Sequence, residues 1–100
     1  MENVLTQHIE ATPGVLGGKP RIAGHRIRVM DIVAWHEKRG MSPDEIATMI
    51  YPQITVSDVH AALAYYFDHR DEIEAEFQRE AAIVAEMRAR YPSKLLGKLR

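Results

Sequence analysis

The stretch from Ser42 to Phe67, SPDEIATMIYPQITVSDVHAALAYYF, most constrains the fold, because it carries two complete helix-start signals separated by a proline stop. Ser42 offers an N-cap oxygen, Pro43 suits the first helical position, and Glu45 completes a capping box. Ile46, Met49 and Ile50 then share one helical face, and Ala47 is small enough to admit a neighbour. Tyr51-Pro52 ends that helix, since a residue before proline is pushed out of the α region. Thr55 caps a second helix with Asp58 at N3, and Val59, Ala62, Leu63, Tyr66 and Phe67 give it an apolar stripe. A short helix, a break and a longer helix describe a helix-turn-helix, which can lay its second helix in the major groove of DNA. Thr55, Ser57 and His60 are then the polar groups near the start of the recognition helix. The same pattern also describes any two packed helices with proline in their link. That link contains no Gly, and no Lys or Arg occurs between Met41 and His69. DNA affinity rests on cations facing phosphates, so this segment cannot supply it alone.

The cations are concentrated elsewhere. Lys19, Arg21, Arg26 and Arg28 fall between Pro13 and Met30 with no acid among them, on a string too rich in Gly for a helix. Ile22, Ile27 and Val29 predict short extended pieces around a turn at Ala23-Gly24. His8 to Thr12 supplies a further strand, with Pro13-Gly14 as its turn. Arginine on such a β-arm suits phosphate and guanine edges. Equally, charges on a solvated edge discourage sheet-to-sheet aggregation. An isolated hairpin is marginal in water, so the arm needs the helices or a second copy to lean on. Recognition of two half-sites would also use a two-fold axis, and a homodimer is expected.

Val29 to Arg39 reads as the first helix, with Met30, Ile32, Val33 and Trp35 or His36 on its apolar face and Gly40 closing it. The helix begun at Thr55 runs to about Arg70, where DHRDE interrupts the apolar pattern. Asp71 looks like a new cap, opening a stripe of Ile73, Phe77, Ala81, Val84, Met87 or Arg88, and Tyr91, which Tyr91-Pro92 ends. Acids dominate from Asp68 to Glu86, and the closing SKLLGKLR is basic and apolar. An acidic amphipathic helix has the form of one that lies in a partner's groove. Ile73, Phe77, Val84, Met87 and Tyr91 would be its apolar contacts, and Arg79 and Arg88 its charged ones. The alternative is the last helix of the domain core. The predicted fold is mainly α: a three-helix bundle behind an N-terminal β-arm over residues 8–70, with an added C-terminal helix and tail over 71–100.

Several chemistries are excluded. Gly14-x-x-Gly-Gly-Lys19 is not a phosphate loop, because Pro13 stands where the first Gly is required and Pro20 where the metal-binding hydroxyl belongs. His8, His25, His36, His60 and His69 have no metal-ligand spacing, and no nucleophile lies beside a base. A non-enzyme without cofactor or metal is expected. Thirteen Lys and Arg against fourteen Asp and Glu leave no global basic signature, so any nucleic-acid contact must be local. The absence of Cys fits a reducing compartment. No apolar run could span a membrane and no signal-peptide layout is present, so a soluble cytoplasmic protein is expected.

The string GGKP-x-I-x-G-x-RI-x-V is carried by Gly17, Gly18, Lys19, Pro20, Ile22, Gly24, Arg26, Ile27 and Val29. With the capped helix, the Tyr51-Pro52 stop and AALAYYFDHRDEIEAE, it resembles the domain-of-unknown-function family four-three-three over roughly Ile9 to Phe77. That family comprises small VapB-like antitoxins encoded beside PIN-like ribonuclease toxins. The resemblance implies a homeodomain-like three-helix bundle and a dimer that binds its own operator DNA, represses its operon and neutralises a PIN-like toxin. His25 stands where the family usually has Thr. The competing expectation, from another class, is a dimeric helical protein-interaction adaptor that never touches DNA.

Overall fold

The computed structural model describes residues 8–91, so the basic tail from Ser93 onward lies outside the described residues. The chain divides into two compact units, residues 1–70 and 71–100. Among the described residues it is mainly helical, with four helices and a small two-stranded sheet.

In the first unit, β1 (Ile9–Glu10) pairs antiparallel with β2 (Arg21–Ile22), Ile9 opposite Ile22 and Glu10 opposite Arg21. The intervening chain makes a tight 3-10 turn at Leu16–Gly18. Ile22 and His25 then close a reverse turn, the His25 N–H donating to the Ile22 carbonyl at 3.0 Å. Its third residue, Gly24, has φ +79°, a conformation that glycine adopts without steric cost. The chain returns along β2 through an Arg21–Arg28 bridge and an Ile22 N–H bond to the Ile27 carbonyl at 2.8 Å.

Helix α1 begins as Val29–Val33 and continues through a π-type stretch, Ala34–Lys38. Asp31 accepts the Arg28 N–H at 2.9 Å at its start. Gly40 (φ +74°) ends it in the left-handed conformation expected of a C′ glycine. Helix α2 is Pro43–Glu45 followed by a second π-type stretch, Ile46–Ile50. Ser42 and Glu45 make the predicted reciprocal box, with bonds of 3.1 and 3.0 Å. Tyr51 leaves the helical region (φ −127°, ψ 71°) one residue before the proline. Helix α3, Val56–Asp68, is capped by Thr55, whose hydroxyl accepts the Asp58 N–H at 3.1 Å.

Helix α3 is the spine of this unit, in contact with α1, α2, β1 and β2. Val59, Ala62, Leu63 and Tyr66 are buried along it, facing a core that includes Ile22, Val29, Ile32, Val33 and Ile46. Two expected core residues lie outside. Met49 is 70% exposed. The Tyr51 N–H reaches back five residues to the Ile46 carbonyl at 2.8 Å, and such a wide turn rotates Met49 away from the face that Ile46 occupies. Phe67 is 52% exposed, because successive residues point about 100° apart on a helix and Tyr66 takes the inward position.

The arm does not stand alone. Ile9 and Ile22 are buried, and both strands lean on α3. His8 Nδ1 lies 2.7 Å from Asp58 Oδ1, tying the start of β1 to the first turn of α3. The arm is ordered by its own helices, which removes the need for a second copy to support it.

The final helix, α4 (Arg70–Arg90), begins earlier than the cap expected at Asp71. The break falls at His69 (φ −128°, ψ 35°), whose ring stacks on Tyr65 at 4.0 Å. Asp71 is therefore an acidic residue of the first turn, where it favours the positive end of the helix dipole. No described helix is long and apolar enough to cross a membrane.

Candidate functional site

The residues singled out by sequence fall into three groups: the arm cations, the start of α3 and the length of α4. The four arm cations have different fates. Arg21 is 9% exposed. Its guanidinium lies 2.7 Å from Glu10, donates to the His25 carbonyl at 2.9 Å and reaches the Thr12 hydroxyl at 3.4 Å. It braces the arm across the strand pair and is withdrawn from any ligand-facing set. Arg28 is half-buried and held by Asp31 through Nε at 3.2 Å and a second nitrogen at 2.8 Å. Lys19 is half-buried beside the 3-10 turn, and Arg26 is exposed just past the Gly24 turn. An exposed guanidinium on a glycine turn is the arm's accessible cation.

At the start of α3, Thr55, Ser57 and His60 are all exposed. The Thr55 hydroxyl is already committed to the cap, which leaves Ser57 and His60 as the outward polar pair. Asp58 is central to this corner. Its carboxylate accepts the Thr55 N–H at 2.9 Å and pairs with His8. Burial pushes the carboxyl up, but the Thr55 amide, the His8 hydrogen bond, the Thr55 hydroxyl and the His8 charge together outweigh it and hold it below its ordinary value. Glu45 is likewise held low by the Ser42 amide and hydroxyl. The His8–Asp58 pair spans fifty positions of sequence, so no local pattern signals it.

Along α4 burial falls away. Ile73 is buried, Phe77 is half-buried, and Val84, Met87 and Tyr91 are 45%, 48% and 49% exposed. Ile83, which the sequence reading passed over, is 51% exposed. Arg79 pairs with Glu76, and Arg88 is exposed. Among the described residues no group of three His, Asp or Glu is placed to hold a metal ion. The surface features are thus a cationic turn tip, a polar helix start and a long apolar row.

No curated protein matches the chain. A crystal structure of a DUF433 member protein from Anabaena variabilis ATCC 29413 is similar, with 38% identity and a TM-score of 0.64. The alignment covers 72% of this chain and 69% of that one. The profile of the protein family of unknown function DUF433 matches residues 9–66, which runs from β1 to the buried Tyr66 of α3 and includes the Gly24 turn and both capping boxes. The chain therefore belongs to the DUF433 family.

Proposed function

We propose that this protein is the antitoxin of a type II toxin–antitoxin pair, neutralising a PIN-like ribonuclease through α4 and binding operator DNA through the arm and a homeodomain-like α2–α3 helix-turn-helix. The observation that carries the reading is the exposed apolar row of α4. Ile83, Val84, Met87 and Tyr91 lie between 45% and 51% exposed on consecutive turns, and an apolar patch of this extent marks a binding surface. PIN-like nucleases hold a metal with clustered carboxylates, and Arg88, exposed beside that row, can pair with such groups. For DNA, Arg26 and Lys19 supply phosphate contacts, and Ser57 and His60 lie where a recognition helix reads bases. Thr55 serves the cap, and Arg21 and Arg28 shape the arm.

The test is co-expression with the PIN-like gene neighbouring its own. Growth restored by the full chain, together with retention of its own upstream DNA on a gel, supports the reading. Growth arrest that persists despite soluble expression removes it. A second reading, a dimeric helical adaptor without DNA binding, is favoured by one observation. Arg21 and Arg28 are engaged by Glu10 and Asp31, which leaves the arm less cationic than its sequence. Complete absence of DNA retention alongside toxin neutralisation would select the adaptor.

A further inference from the structure

Ile73, Phe77, Glu80, Val84, Met87 and Tyr91 recur along α4 at alternating spacings of four and three, the a/d pattern of a coiled-coil seam. The positions flanking that seam are segregated by charge. In the first half they are Glu74 and Glu76, in the second half Arg88 and Arg90, and between them stand Ala81 and Ile83. We infer that α4 pairs with α4 of a second copy of this chain, antiparallel, about an axis passing between Glu80 and Val84.

The charge order decides the direction. In the antiparallel register centred there, Phe77 faces the partner's Met87, and Glu80 faces the partner's Val84. The same register sets Glu74 against the partner's Arg88 and Glu76 against the partner's Arg90. All four flanking contacts across the pair are then of opposite sign. A parallel pair would set Glu76 beside the partner's Ala81 and Ile83 beside the partner's Arg88, and would make none of these four contacts. The exposure gradient agrees, because the seam passes from half-buried at Phe77 and Glu80 to exposed from Val84 onward, and exposed Ile83 widens it beside Val84. Within one chain Arg90 lies 3.5 Å from Glu86 and Glu76 pairs with Arg79, and because Arg79, Glu86 and Arg90 are each more than 60% exposed these pairs are weak enough to exchange.

Glu80 is the misfit. A polar residue at one seam position fixes register at a cost in affinity. Here two copies flank the axis, so the pair is specific and reversible. The toxin of the functional reading would use the same face and exclude the second copy. Self-pairing of the purified chain in the absence of toxin and DNA is independent of that reading.

The chain has no Cys, so introduced thiols report cleanly. In the full-length protein, Phe77→Cys mixed with Met87→Cys should form a disulfide-linked heterodimer. Each variant alone should not, because its two thiols lie about 15 Å apart along the pair at 1.5 Å per residue. Glu74→Lys with Glu76→Lys should weaken the dimer, measured by sedimentation, roughly tenfold. Adding Arg88→Glu and Arg90→Glu to the same chain should restore it. Glu80→Leu should tighten the dimer about tenfold, a gain that misfolding cannot imitate. A monomer at tens of micromolar, self-linking of either thiol variant in preference to the mixture, or no response to charge reversal would overturn the inference.

Discussion

Replacing Asp58 with Ala removes two interactions that hold the arm and α3 together, and the structure sets their size. The carboxylate accepts the Thr55 N–H at 2.9 Å and the His8 ring at 2.7 Å, with Asp58 17% exposed. Loss of the carboxylate half of a capping box costs about 1 kcal/mol. A part-buried charged hydrogen bond adds about 1 kcal/mol more, giving ~2 kcal/mol near neutral pH. With a denaturant slope of about 1 kcal/mol per molar urea for so small a unit, the midpoint should fall by roughly 2 M. The pH dependence gives a second readout. The folded-state value of Asp58 lies below its unfolded value, so its stabilisation is complete above the unfolded value. It disappears as pH falls through the folded value. The gap between parent and Asp58→Ala should therefore close in acid. Urea melts monitored by Trp35 fluorescence measure both effects. A neutral-pH difference below about 0.5 kcal/mol, or one equally large in acid, would refute the assignment of Asp58 as the corner that docks the arm.

Arg21→Ala and Arg26→Ala should separate cleanly. Arg21→Ala should lower stability by about 2–3 kcal/mol in a urea melt, through the lost Glu10 pair and the two turn contacts. Arg26→Ala should leave the melt unchanged within about 0.5 kcal/mol, while making the salt slope of operator binding shallower by about one unit. Phe77→Ala, at the half-buried start of the exposed row, should weaken the toxin complex by about 2 kcal/mol, near thirtyfold in Kd by titration calorimetry.

What was legible in the sequence was local. The Ser42–Glu45 and Thr55–Asp58 boxes, the Tyr51-Pro52 stop and the Gly40 terminus each involve residues within a few positions, and each is present. Departures come where tertiary structure or helix pitch intervenes. A 3.6-residue period points Met49 inward, and the π-type turn at Ile46–Ile50 does not follow that period. Arg21 read as one of four equivalent cations, and only its pairing opposite Glu10 turns it inward. The arm looked too weak to order itself, since its support from His8 to Asp58 and from Ile9 and Ile22 to α3 is long-range. Self-pairing is therefore proposed for α4 and not for the arm. Along α4 the pattern is a 3.5-residue seam, which a 3.6-residue stripe overlaps only in part.

The most direct measurement of the antitoxin claim is cleavage of a fluorogenic RNA by the purified neighbouring PIN-like protein, titrated with this chain. One equivalent of the parent should suppress cleavage. Val84→Glu with Met87→Glu, which places charge at two exposed positions of the row, should suppress it at least tenfold less effectively. Equal inhibition by both proteins, or none by the parent, would contradict the account.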